Sequence, residues 1–315
     1  MTAISLNEAA KLAIDGGQTH KAGVIAMYAE KSDVLAAMLF DGIAGNALAF
    51  DQEGDLPSTA FRGVNEAYTP SAGVIAPQVE ALMIAGGDLD VDNFIIKTQG
   101  QQVRSTHEAM KVKSLSATIT DAIIKGDNTS NPRQFDGFQK RVTDSNQLIA
   151  NGASSGGDAL SLYNLDQAID AVNGCTHLIM ARKMRVRMQQ AARSNSVANQ
   201  VVTMDMDSDL GRRVTRYGDI PILVGYEPNK NVKLLPFSEA NPGGGSAVGT
   251  SIYPVNFSED GVVGISNGGI DVRDLGELQG QPVWRTRVEW YLSLAVKSQF
   301  AISRLYGIKD APIVA

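Results

Sequence analysis

The stretch Trp284–Val296, WRTRVEWYLSLAV, decides the fold. Trp284, Thr286, Val288, Trp290, Leu292, Leu294 and Val296 fall on every second position, with Arg285, Arg287, Glu289, Tyr291 and Ser293 between them. Successive side chains of a strand point to opposite faces, so this alternation predicts one strand with one buried face. Its core residues are then Trp284, Val288, Trp290 and Leu292. At ~3.3 Å per residue the strand runs on the order of 45 Å, against the ~17–20 Å of an ordinary one.

Upstream, Lys97–Lys125 follows a different period. Val112, Leu115, Ile119, Ala122 and Ile123 recur at three- and four-residue spacing, with Lys111, Lys113, Thr118, Asp121 and Lys125 on the other faces. That predicts a long helix, stopped at Gly126 with Asp127 and Asn128 as turn residues. A long strand and a long helix flanking a compact middle imply an elongated body.

Between Asp41 and Asp92 the composition changes: Gly and Ala are frequent, and prolines fall at Pro57, Pro70 and Pro77. Strand-like stretches Ile43–Phe50 and Val79–Ile84 bracket DQEGDLPSTAFRGVNEAYTPSAG. A structureless loop of that length is unusual in a compact domain, and when present is usually functional or disordered. The other reading is a two-stranded arm projecting from the body. Leu56, Phe61, Val64 and Tyr68 are too few to fold it alone, since an isolated hairpin is marginal in water. Such an arm needs a neighbour to lie on.

Residues 5–14 predict a short helix with Ser5 or Asn7 as cap and Gly16-Gly17 at its end, sparse enough in large apolar residues to be a surface arm. In the middle, Asn164 is the expected cap of a helix over Leu165–Val172. His177–Met180 and Ile220–Val224 are short buried strands, and Arg182–Arg193 is a basic helix. Asn241–Gly249, with Pro242 and three consecutive glycines, is a flexible loop. Interleaved helices and strands make this region a compact α/β or α+β domain.

The chain has 315 residues, enough for about two domains and for a core that needs no disulfide or metal. Its 28 basic and 34 acidic residues leave a net charge of −6, which argues against a surface that is basic all over. The single Cys175 excludes an intramolecular disulfide and fits folding in a reducing compartment. Three histidines, His20, His107 and His177, are too scattered for an ordinary zinc site. No apolar run reaches the ~18–20 residues of a membrane span. The start, MTAISLNEAAKLAIDGG, has neither a basic nor a hydrophobic leader region, so no signal peptide is expected.

Chemical motifs are weak. Gly152-Ala153-Ser154-Ser155-Gly156 matches G-x-S-x-G, but only His177 follows, too soon and without the strand–turn–helix context that would make Ser154 a nucleophile. Asp88-Asp90-Asp92 and Asp205-Asp207-Asp209 open like calcium loops. The glycine and glutamate such loops need are replaced by Asn93 and Gln99, and by Leu210 and Arg216. Arg182, Lys183, Arg185, Arg187 and Arg193 can grip phosphates, although such runs are more often solvated faces. With no Walker loop, HExxH or C-x-x-C, the residues point away from an enzyme and towards an assembly protein.

The ordered set of elements carries a resemblance. A short N-terminal arm, a two-stranded projection, a long helix ending in IIKGD, an α/β middle and a long alternating terminal strand together resemble the tailed-bacteriophage major capsid protein, the Hong Kong 97-type α+β capsid fold. The best segments are GNALAFDQEGDLPSTAFRGVNEAYT, Lys97–Gly126, NPRQFDGFQKRV and GGIDVRDLGELQGQPVWRTRVEWYLSLAV. The resemblance covers about residues 1–308. It implies an N-terminal arm at 1–30 and an extended loop at 42–90 that reaches over a neighbouring subunit through Leu56, Phe61, Arg62, Val64, Glu66 and Tyr68. A peripheral domain would comprise 31–41, 91–129 and 281–308, an axial domain 130–280, and a tail 309–315.

What the resemblance implies functionally is a shell of hexamers and pentamers, icosahedral, enclosing double-stranded DNA without sequence-specific binding. The subunit would be made in the host cytoplasm and end in the virion, with no cofactor and no membrane, alongside a portal and a cement or decoration protein. The arm before Lys31 is too short to be the scaffolding segment of some members, so a separate scaffolding protein is expected, or none. No lysine lies between Lys31 and Lys97 for the lysine crosslinks of others. Two alternatives stay open: an encapsulin-type nanocompartment of the same fold, and a serine hydrolase built on Ser154.

Overall fold

In the computed structural model the described residues are 3–53, 57–152, 156–193, 202–207, 212–224, 233–242 and 248–314. The first half holds β1 (Ile4–Ser5), α1 (Leu6–Asp15), α2 (Thr19–Lys31), α3 (Asp33–Ala37), β2 (Leu39–Gly42), β3 (Ala47–Glu53) and β4 (Ile75–Ala81). Next come β5 (Met83–Asp92), α4 (Asn93–Gln99), α5 (Gln102–Lys125), α6 (Phe138–Arg141), β6 (Leu148–Ala150), α7 (Leu162–Asp170), β7 (His177–Ile179) and α8 (Arg182–Arg193). The rest is strand apart from a 3-10 turn at Gln299–Ala301: β8 (Val202–Asp207), β9 (Arg212–Tyr217), β10 (Ile220–Leu223), β11 (Glu239–Ala240), β12 (Val248–Val255), β13 (Val262–Glu277), β14 (Val283–Val296) and β15 (Arg304–Ile308).

The alternating stretch is β14, an inner strand between β13 and β5 of a five-stranded sheet ordered β1-β2-β13-β14-β5. It pairs antiparallel with β13 from Val262↔Val296 to Glu277↔Trp284, and with β5 from Leu292↔Met83 to Val283↔Asp92. Val288, Trp290, Leu292 and Leu294 are buried in the main core. Trp290 is 2% exposed, with the rings of Phe40 and Tyr28 at 5.0 and 5.8 Å. Trp284 differs from the expectation: it is only half-buried, its Nε1 donating to Asp274 Oδ1 at 2.8 Å beneath the Arg104 guanidinium. The single buried face also fails at the far end. Ser293 and Ala295 are buried as well, because Leu39, Ile43, Leu48, Phe50 and Leu82 cover Val263, Ile265 and Ala295 from the other side.

Helix α5 lies against this sheet with Val112, Leu115, Ile119 and Ile123 buried. The helix expected from Lys97 is two. Asp92 caps α4, its Oδ1 accepting from Phe94 N at 2.7 Å, and Gly100 at φ +86° separates α4 from α5. Gly126 ends α5 for a reason of space. Its φ is −52°, but a Cβ there would sit 2.3 Å from the Phe135 carbonyl oxygen and 2.4 Å from that of Ala122.

The N-terminal segment is not a free arm. Ser5 Oγ accepts from Glu8 N, and Glu8 Oε2 accepts from Ser5 N at 3.0 Å, a capping box that starts α1. Leu6 and Ala10 are buried where α1 packs on α2. Helix α2, which sequence reasoning did not identify, buries Ala22, Val24, Ile25, Tyr28 and Ala29.

The second sheet has eight strands, ordered β6-β15-β12-β7-β10-β9-β8 with β11 on β12, and is mixed: β7–β10 and β6–β15 are parallel. Leu178, Ile179, Ile222, Leu223, Ile252, Val255 and Leu305 form its buried centre. Helix α7 starts at Leu162 after Ser161, and Asn164 is not its cap but donates from Nδ2 to the Asn151 carbonyl at 3.0 Å. The expected division at 280 falls inside the β13–β14 hairpin, and Arg304–Ile308 pairs in the second sheet, so neither boundary of 281–308 follows the sheets.

Candidate assembly surfaces

Among the described residues, strands β3 and β4 pair only with each other, from Ala47↔Ala81 to Glu53↔Ile75. The projection therefore ends at Ala81 rather than at residue 90, because β5 belongs to the large sheet. One face of this ribbon carries Ala47, Ala49, Pro77, Val79 and Ile75, with Val79 and Ile75 about two-thirds exposed. The other carries Leu48, Phe50, Gln52, Gln78 and Glu80.

Residues 57–74 extend beyond the strands. Asn65 at φ +65° makes a turn in which Gly63 N donates to Glu66 Oε2 at 2.8 Å. Arg62 Nη1 donates to the Glu66 carbonyl at 3.2 Å, and its guanidinium lies over the Tyr68 ring at 5.3 Å. Among the described residues Arg62 thus meets a carbonyl and a ring rather than a carboxylate. Phe61 and Val64 are fully exposed and Tyr68 is 63% exposed. Burying each such side chain stabilises by about 1.5–3 kcal/mol, so the tip carries several kcal/mol of unrealised burial. Leu56 lies outside the described residues.

At the root, Arg141 of α6 makes three bonds. Its Nε donates to the Asp136 carbonyl at 2.8 Å, Nη2 to the Leu294 carbonyl at 3.1 Å, and Nη1 to Glu80 Oε1 of β4 at 2.6 Å. Sequence reasoning missed this pair; nothing in the local pattern around Glu80 or Arg141 announces it.

The Asp-x-Asp-x-Asp run at 88–92 is explained by strand period rather than by calcium. Asp88 is bidentate with Arg287 (2.7 and 2.9 Å) and Asp90 with Arg285 (2.6 and 2.6 Å), across the β5–β14 ladder. Hydrogen bonds from Arg287 and Arg285 hold these carboxyls below the usual aspartate range. Matching period-two charges in two segments was the signal available. Asp92 is the α4 cap. The side chains of Asp205 and Asp207, and all of Asp209, lie outside the described residues.

Two cations of the basic helix are already engaged: Lys183 Nζ and Arg187 Nη2 contact Asp310 at 2.8 and 2.9 Å, and these bonds lower the Asp310 carboxyl. Ser154 lies outside the described residues. His177 Nδ1 is 2.9 Å from Thr176 Oγ1, with its ring against Phe257. Burial pushes the Cys175 thiol up to about 11. Among the described residues no group of His, Cys, Asp and Glu is gathered to hold a metal ion, and no helix is long and apolar enough to cross a membrane.

A long helix on a sheet built around the long antiparallel β13–β14 pair, a second mixed sheet and a projecting hairpin define the Hong Kong 97-type class of shell fold. The encapsulin of the holo-SrpI complex from Synechococcus elongatus PCC 7942 is similar with a TM-score of 0.63 at 14% identity, over 90% of this chain and 89% of that one. The capsid of the native GTA particle is similar with a TM-score of 0.61 at 13% identity, over 89% and 90%. The chain from Microbacterium phage Oxtober96 gives 0.62 at 10% identity, over 88% and 91%. No curated protein sequence matches. Residues 17–176, just over half of the chain, match the family described as major capsid protein GP7, and the chain belongs to that family. It is a capsid shell protein of the tailed-phage type, a component of the virion that works as an assembly of many copies.

Proposed function

We propose that the subunits assemble as hexamers and pentamers into an icosahedral shell around double-stranded DNA, each β3–β4 hairpin lying over a neighbouring copy. The observation that carries this is the exposed apolar tip, Phe61, Val64 and Tyr68, at the end of a ribbon that meets its own subunit through Leu48 and Phe50 near its root. Arg62 and Glu66 shape the turn and fix register at its edge. In this reading the five-stranded sheet with α5 is the peripheral domain and the eight-stranded sheet the axial one; most of the glycine-rich stretch expected as a loop at Asn241–Gly249 lies outside the described residues. The net charge of −6 suits a wall that must not hold DNA tightly. A separate scaffolding protein, a portal and a decorating protein are the partners such a shell calls for.

The likeness to an encapsulin favours one second reading, a shell around protein cargo. Native particles treated with nuclease and then opened decide between them. Protected double-stranded DNA supports the capsid; particles holding protein and no DNA support the compartment.

A further inference from the structure

We propose that Arg141 is a positioning residue that aims the hairpin, so that the Arg141–Glu80 pair sets the angle at which one copy reaches the next. This rests on the reading of the hairpin as the assembly arm. Ahead of β3, Asn267 Nδ2 donates to the Gly45 carbonyl at 2.8 Å, and the ribbon itself meets the body in two further ways. Leu48, Phe50 and Leu82 lie on Val263, Ile265 and Ala295, an apolar seat that holds the ribbon without fixing its direction. Direction comes from the guanidinium, whose other two bonds go to backbone carbonyls of the body, those of Asp136 and Leu294. Among the described residues it forms the one ion pair between β3–β4 and the body, with both side chains less than one-fifth exposed.

On that side the described residues make no second hydrogen bond from the ribbon to the body. Beyond the pair, Phe50, Gln52 and Gln78 stand across a polar crevice of about 380 Å³ from Thr143, Asp144 and Gln147. The body wall satisfies its own polar groups: Gln299 Nε2 donates to Asp144 Oδ2 at 3.2 Å, and Gln147 Nε2 donates to the Gln299 carbonyl. At ~3.3 Å per residue the seven-residue ribbon is about 23 Å long, so a ten-degree swing displaces its far end by about 4 Å, before the tip is counted.

The test uses the full chain with Glu80→Gln, which keeps shape and removes charge, and with Arg141→Lys, which keeps charge and removes the fork. Spin labels at Ala72→Cys and Ser145→Cys in a Cys175→Ala background report the hairpin–body distance in unassembled subunits. Both variants should at least double the width of that distance distribution and cut the yield of uniform closed shells at least tenfold, with unchanged circular dichroism. An unchanged width, or wild-type shells from either variant, overturns the proposal. Deletion of residues 57–74 runs in parallel: normal shells from that deletion bring down the assembly-arm reading itself, and their absence leaves the Arg141 test standing on its own.

Discussion

Trp290 is where the account of the long sheet is most exposed to test. The side chain is 2% exposed and packs between Phe40 and Tyr28. Truncating a buried Trp to Ala costs about 3–5 kcal/mol. That is a large share of the ~5–15 kcal/mol that holds a domain together. Its Nε1 has no hydrogen-bond partner among the described residues, so the native ring already carries an unpaired donor. Trp290→Phe removes that donor and keeps most of the packing, and should cost less than about 1.5 kcal/mol. Trp290→Asp buries an uncompensated charge and should prevent soluble folding. The neighbour Glu289 points to the other face, where it accepts from Arg273 Nη2 at 2.8 Å. Glu289→Gln removes an exposed pair worth about 0–1 kcal/mol. Urea unfolding of unassembled subunits reads these differences: with m of about 2–3 kcal/mol per molar, Trp290→Ala should lower the midpoint by roughly 1–2.5 M. A Trp290→Ala midpoint no lower than that of Glu289→Gln would refute the assignment of faces.

Gly126→Ala forces a methyl against two carbonyl oxygens and should destabilise by about 1–3 kcal/mol, whereas Gly23→Ala, inside α2 with open space around it, should stabilise by about 0.5–1 kcal/mol; a raised thermal midpoint for the first, or a lowered one for the second, would contradict that prediction. Asp88 and Asp90 have depressed carboxyl values, so their contribution is complete above the unfolded-state value of about 4 and is lost as pH falls through the folded-state values. Asp88→Asn with Asp90→Asn should therefore lower the melting temperature at pH 7, and the gap from wild type should close in acid; a gap that does not depend on pH would exclude the ladder as its source.

Local periodicity made some of this architecture legible. Strand 283–296 announced itself because residues 286–292 alternate between core and surface, and α5 because its stripe is apolar. Helix α2 did not, because Gly23, Ala26 and Met27 on its more exposed side are no more polar than the buried Ala22, Val24, Ile25, Tyr28 and Ala29, so its apolar face has little contrast in the sequence. The end of the projection was obscured because Val79–Ile84 stays strand-like while its partner changes from β3 to β14 across Leu82. The exposed tip residues were legible as apolar positions lacking a core. The Arg141–Glu80 pair was not, since tertiary packing alone brings together two residues 61 positions apart.

The measurement that bears most directly on the central claim is a cryo-electron microscopy reconstruction of particles assembled from the full chain. The account predicts closed icosahedral shells in which Phe61, Val64 and Tyr68 of each hairpin are buried on an adjacent copy. Particles that never form, or closed shells in which those three side chains remain in solvent, would contradict it.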